Sequence, residues 1–207
     1  MVTDRAQGHT LEAVVASLLL LAAIGFALQM TAVTPLSAST SSQHLENQMR
    51  STASGVLASA AEKGALRETV LYWNNSTARF HGTNGSSYYT DDPPNTTFGG
   101  MLRRTFDRRN IAYNVEVHYQ QQDCVQRREQ LFVAGEPSDH AVSASRSVAI
   151  MDGDHLYDAD TSVNESITVD EAGFFAPDVN EAHSDCAGAS DGPLYNLVRV
   201  EVIAWRI

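Results

Sequence analysis

The sequence predicts an α+β protein: an N-terminal transmembrane helix, an amphipathic helix, then an antiparallel β-sheet ectodomain. Three patterns lead to this reading. An uncharged apolar run fills Ala13 to Val33, apolar residues then recur at three- and four-residue steps, and past residue 110 the hydrophobic period changes to two. The chain divides accordingly into a cytoplasmic stub (1–12), a transmembrane helix (13–34), an amphipathic helical segment (35–73) and an extracellular sheet domain with loops (74–207).

As a helix, the 21 residues from Ala13 to Val33 are roughly 31 Å long, close to the hydrocarbon thickness of a bilayer. The alternative is a cleaved secretory signal with Leu36-Ser37-Ala38-Ser39 as its cut site. The run is long for that role, which favours a retained anchor. Arg5 precedes the span and the next basic residue is Arg50, so the N-terminus is expected in the cytoplasm and the chain after Pro35 outside.

Between Gln43 and Trp73, Leu45, Met49, Ala53, Val56, Leu57, Ala60, Leu66, Val70 and Leu71 trace one helical face, with Glu46, Arg50, Glu62, Lys63 and Arg67 mostly between them. Pro35 and the Ser37–Ser42 run predict a kink or short break before it. Asn74 to Gly100 reads as a long loop. Ile111, Tyr113, Val115, Val117 and Tyr119 then alternate with polar or small residues, the pattern of a half-buried strand. Leu131-Phe132-Val133 and Val142–Ile150 are further strands, the latter turning through Asp152-Gly153 into a hairpin with His155-Leu156-Tyr157. The last strand, Tyr195–Ile207, is apolar on both faces, which predicts a central position in the sheet, packed against the amphipathic helix.

Composition narrows the function. With 25 acids against 14 Lys and Arg and a net charge of -11, the chain lacks the basic footprint of a nucleic-acid binder. Two cysteines exclude a four-thiolate metal scaffold. Cys124 and Cys186 instead read as a disulfide of an exported domain. Asn74, Asn75, Asn84, Asn95 and Asn164 each begin an Asn-x-Ser/Thr glycosylation tripeptide, most of them in a Gly-, Ser- and Asn-rich stretch. Lys63 is the sole lysine, and low Lys with abundant Asp resembles proteins of high-salt organisms, where screening shortens the Debye length to about 3 Å or less. Arg103, Arg104, Arg108, Arg109, Arg127 and Arg128 crowd one region of sequence and acids crowd Glu136–Asp191. Solvated faces account for this, or complementary ones within or between subunits.

The run Arg5-Ala6-Gln7-Gly8-His9-Thr10-Leu11-Glu12-Ala13-Val14-Val15 resembles the N-terminus of archaeal type IV pilin-like proteins, and more closely that of haloarchaeal membrane-anchored surface proteins. Tyr195-Asn196-Leu197-Val198-Arg199-Val200-Glu201-Val202 through Trp205-Arg206 is similar to the ending of that group. Together these segments cover under a third of the chain. The resemblance implies a leader removed by a prepilin-type peptidase and a Glu at the fifth mature position that pairs with a neighbour's amino terminus on assembly. Glu12 occupies that place after a cut behind Gln7, but is fourth after a cut behind Gly8 and sixth after one behind Ala6. Snorkelling of Glu12 to the interface is the plainer chemistry.

No catalytic, cofactor or metal residue is expected. Gly188-Ala189-Ser190-Asp191-Gly192 matches a nucleophile elbow in letters, but no strand leads in and Pro193 opens a strand behind it. Asp152, Asp154, Asp158 and Asp160 suit a hard cation, yet Tyr157 stands where an EF-hand turn needs Gly. His118, on the polar side of a strand, reads as ordinary surface. The expectation is a non-enzymatic, membrane-anchored surface protein of pilin-like build, a filament subunit or assembly component, with self-association or related subunits as partners. The alternative is an exported binding module for calcium or glycan on a single anchor.

Overall fold

The long amphipathic periodicity becomes a helix that stops where glycine lets it. In the computed structural model, which describes residues 3–83, 88–120, 125–172 and 193–207, helix α1 (Thr3–Glu62) ends as Gly64 takes a left-handed conformation (φ 71°). Lys63 N donates to Ser59 O and Gly64 N to Ala61 O, satisfying carbonyls of the last turn. The helix runs through Pro35 and Ser37–Ser42, where the sequence predicts an interruption; a proline removes only one donor from the ladder. The chain forms two units, residues 1–45 and 46–207.

In the second unit, helix α2 (Ala65–Val70) continues the apolar face begun by Met49, Ala53, Leu57 and Ala60. Asn74–Gly100 is not simply a loop. Strands β1 (Trp73–Asn74) and β2 (Arg79–Phe80) pair antiparallel, and helix α3 (Thr97–Phe106) starts before residue 100. Trp73 and Phe80 meet edge to face at 5.1 Å.

The start of α3 shows why this helix forms. Thr96, in an extended conformation, accepts from Gly99 N at 3.3 Å, and Glu68 of α2 accepts from Thr97 N at 2.9 Å, so two orphan helix donors are satisfied. Thr69 donates its hydroxyl proton to Ala65 O, which leaves Thr96 as the donor in the buried 2.7 Å contact between the two hydroxyls. A Cβ at Gly99 would overlap the Pro94 carbonyl oxygen. After α3 a 3-10 turn (Asp107–Arg109) and Asn110 in the left-handed region lead into the sheet.

Strands β3 (Ile111–Gln120), β4 (Gln126–Val133), β5 (Val142–Met151) and β8 (Leu194–Arg206) form one antiparallel sheet in the order β4-β3-β8-β5. The C-terminal strand is central, as its sequence predicts. A bulge between Val115 and Glu116 gives Leu131 no opposite residue, and Leu131 is buried at 1% exposure. The free edge of β4 is partly covered, because Tyr89 N donates to Leu131 O and Val133 N to Tyr89 O. Strands β6 (His155–Tyr157) and β7 (Val163–Thr168) pair with each other, followed by the single turn α4 (Val169–Ala172). The turn at Asp152-Gly153 exists, but β5 pairs with β8 and not with β6. Asp154 explains the departure: it accepts from Met151 N at 2.8 Å and faces Arg67 of α2 at 3.3 Å, while Tyr157 N donates to Leu71 O. The segment is thus tied to the helices.

One face of the sheet supplies the core. Tyr113, Val115, Val117, Val198, Val200, Val202 and Ala204 join Leu57, Leu66, Phe98, Leu102 and Phe106 in one buried cluster. The second face of β8 is not a buried apolar surface: Trp205 is covered, but Leu197 is 59% exposed, and Ile207, just past the strand, is 85% exposed. An antiparallel sheet backed by helices on one side leaves its other side to polar groups.

Thr96→Ala is expected to cost about 1–2 kcal/mol, since it removes the cap and leaves Thr69 without its donor. Thr96→Ser should retain most of the stability. Gly99→Ala should cost about 1–3 kcal/mol by forcing α3 off Pro94. Denaturant unfolding of the full chain checks all three.

Candidate functional site

Two features stand apart from ordinary core building. The first is the apolar part of α1. Gly8–Gln29 is long and apolar enough to cross a membrane, and all 22 of its residues are exposed. Length and composition fit a membrane anchor or a signal sequence. Leu11, the Leu18–Leu21 run, Ile24, Phe26 and Leu28 are each more than half exposed. Glu12 lies in this helix with its carboxylate 3.7 Å from His9 Nδ1, one turn earlier, and both side chains are open. The spacing is i,i+3, so the two share a face.

The second feature is the polar face of the sheet. Glu116 of β3 is directly opposite Glu201 of β8, an unfavourable pair taken alone. Glu116 is 8% exposed at its side chain, so its charge needs partners. Arg128 Nη1 approaches it at 3.4 Å, Arg199 Nη2 lies 4.0 Å from Glu201, and His118 Nε2 is 3.2 Å from Glu201 and 3.6 Å from Glu116. His118 is therefore not ordinary surface; its side chain is 17% exposed, between two carboxylates. The sequence shows Glu116 and His118 two apart, and Arg199 and Glu201 two apart. Only the register of β3 on β8 makes them one cluster. Two guanidiniums balance the two carboxylates, which suits an ion-pair network better than a cation site. On the other side of the sheet, level with Val117, burial pushes the Glu129 carboxyl of β4 above its ordinary value, and burial together with Glu129 pushes the Tyr119 hydroxyl up.

The remaining candidates separate. Arg108 and Arg109 precede β3, whereas Arg127 and Arg128 pair with Tyr119 and His118 near its far end, about 26 Å along the strand. The arginines that crowd the sequence do not form one patch. The four aspartates do not converge either. Asp154 serves Met151 and Arg67, Asp158 accepts from Asn164 Nδ2 at 2.9 Å, and Asp160 is held below the usual range by the Ser162 hydroxyl and amide. Among the described residues, no group of three or more His, Cys, Asp or Glu could hold a metal ion.

Of the glycosylation acceptors, Asn75 and Asn95 are exposed. Asn74 is half-buried, and its Oδ1 accepts from Ser76 N and Thr77 N. Asn164 is half-buried, and its amide nitrogen donates to Asp158 Oδ1 at 2.9 Å. Asn84, Cys124, Cys186 and the Gly188–Gly192 motif lie outside the described residues.

These features define an α+β protein with an N-terminal apolar helix and a helix-backed antiparallel sheet whose open face is charged. The chain belongs to DUF7288, a family of unknown function, whose sequence profile matches residues 5–204. Neither a curated protein nor a solved structure matches it.

A carboxyl whose folded value is raised stabilises the fold only while protonated, and that contribution is lost as pH rises through the raised value. Glu129→Gln is therefore expected to melt higher than the parent chain at neutral pH and level with it at about pH 3. Thermal melts across that range provide the check.

Proposed function

We propose that this is a non-enzymatic, membrane-anchored cell-surface protein of pilin-like build, held in the bilayer by Gly8–Gln29 and assembling through that helix with further copies or related subunits. The observation that supports it is the fully exposed apolar helix carrying Glu12 near its start. An apolar surface of this size is not left to water; lipid or a neighbouring helix covers it. A carboxylate moved toward the centre of the hydrocarbon costs a few kcal/mol, so Glu12 either reaches the interface or takes a cation from a neighbour, such as a freed amino terminus. Arg5, ahead of the span, orients the stub to the cytoplasm and the sheet domain outside. A prepilin-type peptidase would supply the new terminus.

Intact mass and N-terminal sequencing of membrane and shed fractions test the reading. A start at Gln7, Gly8 or His9 is expected. A start at Met1 would show a permanent anchor without leader processing, and one near Ser39 a secreted domain, which overturns the proposal. Glu12→Ala should leave membrane retention intact and reduce recovery of tagged copies with untagged ones. Unchanged co-recovery would remove the pilin-type packing.

A further inference from the structure

We propose that the groove between the C-terminal part of α1 and helix α3 binds a small organic anion, its charged head on Lys63 and Arg104 and its apolar body on Val56 and Met101. The groove has a volume of about 400 Å³, within the range of small-molecule clefts. The inference goes beyond the anchoring role and draws only on residues 46–207.

Three observations carry it. First, the cations are available. In a chain of net charge -11, Lys63 and Arg104 line the same groove, both exposed, and neither has a carboxylate partner among the described residues. Arg67 and Arg128, by contrast, are each paired to an acid. Second, Arg104 is placed. A Cβ at Gly100 would lie 3.3 Å from Arg104 Nη1, so the guanidinium lies back along α3 over the residue one turn before it, in space a side chain would crowd. Third, the floor is mixed. Val56 and Met101 are half-buried apolar residues in the wall, and Ser59 stands one turn from Lys63.

The donor inventory selects the charge of the ligand. Thr52 and Thr105 also line the groove, but their hydroxyl protons are given to Gln48 O and Met101 O at 2.8 Å. Their oxygens can only accept. The protons that remain belong to the ammonium, the guanidinium and the Ser59 hydroxyl, a set suited to a phosphate, sulfate or carboxylate head.

Phenyl phosphate is the probe, titrated by calorimetry into the full chain in neutral detergent. It is expected to bind in the millimolar range or tighter, more tightly than inorganic phosphate, which lacks the apolar body, and than phenol, which lacks the charge. Lys63→Gln and Arg104→Gln should each weaken it about five- to tenfold, and the double variant should abolish it. Gly100→Ala keeps both charges and should weaken it less, by displacing the guanidinium. Lys63 and Arg104 are exposed, so unchanged melting will show that their variants fold.

Absence of heat with the parent chain, or equal binding by the double variant, overturns the proposal. Phenol binding as well as phenyl phosphate removes the anionic head, and inorganic phosphate binding as well removes the role of Val56 and Met101. Self-association that the double variant abolishes, without probe binding, would assign the groove to an acidic surface of a second copy and overturn the small-ligand reading.

Discussion

The unit from Glu46 onward depends on the burial of one face of β8. This strand follows β3, β4 and β5 in the chain, yet it sits between β3 and β5, which end at Gln120 and Met151. Closing loops of that size carries an entropic cost that grows slowly with length and must be offset by what the strand buries. Val198, Val200, Val202 and Ala204 are at 1% exposure or less, against the helices. Each fully buried Val contributes about 1.5–3 kcal/mol by transfer. A slip of one residue would send Arg199 and Glu201 into that layer, so register is strongly specified.

The same register sets the chemistry of the opposite face. Seating Val115 across from Val202 and Val117 across from Val200 leaves Glu116 across from Glu201. Two like charges on neighbouring strands are the consequence of a well-packed inner face. Arg128, Arg199 and His118 answer them from the outer side. Asn114, on that outer face, uses its whole amide, donating to Gly135 O and accepting from Ala134 N, and so holds the chain as it leaves β4. Core packing and surface electrostatics are two sides of one alignment.

The helices around the sheet divide their faces in the same way. The stretch of α1 from Met49 to Ala60 gives its large residues to the core and leaves Thr52, Val56 and Ser59 to the groove beside α3. Helix α3 is positioned from its N-terminus by α2, through Glu68 and the paired hydroxyls of Thr69 and Thr96. Its end is fixed by aromatic packing, with Phe106, Tyr113 and Phe132 in succession at 5.1 and 5.0 Å between ring centres.

Features that rest on local periodicity or composition were legible in the sequence: the apolar helix, the amphipathic continuation, the strands at Ile111, Leu131, Val142 and Tyr195, and the central place of the last of these. Such signals are repeated along the chain and need no partner to be read. The sequence missed α3, because Pro93, Pro94, Asn95 and two glycines look like loop until Thr96 and Glu68 are seen to cap the helix. It read β5 and β6 as a hairpin, because the Asp-Gly turn is a local signal while Asp154 answers to Arg67, 87 residues earlier. It dispersed Glu116, His118, Arg128, Arg199 and Glu201, and separated Lys63 from Arg104. Tertiary structure alone decided these groupings, since strand register and helix packing join residues whose separation in sequence carries no periodic trace.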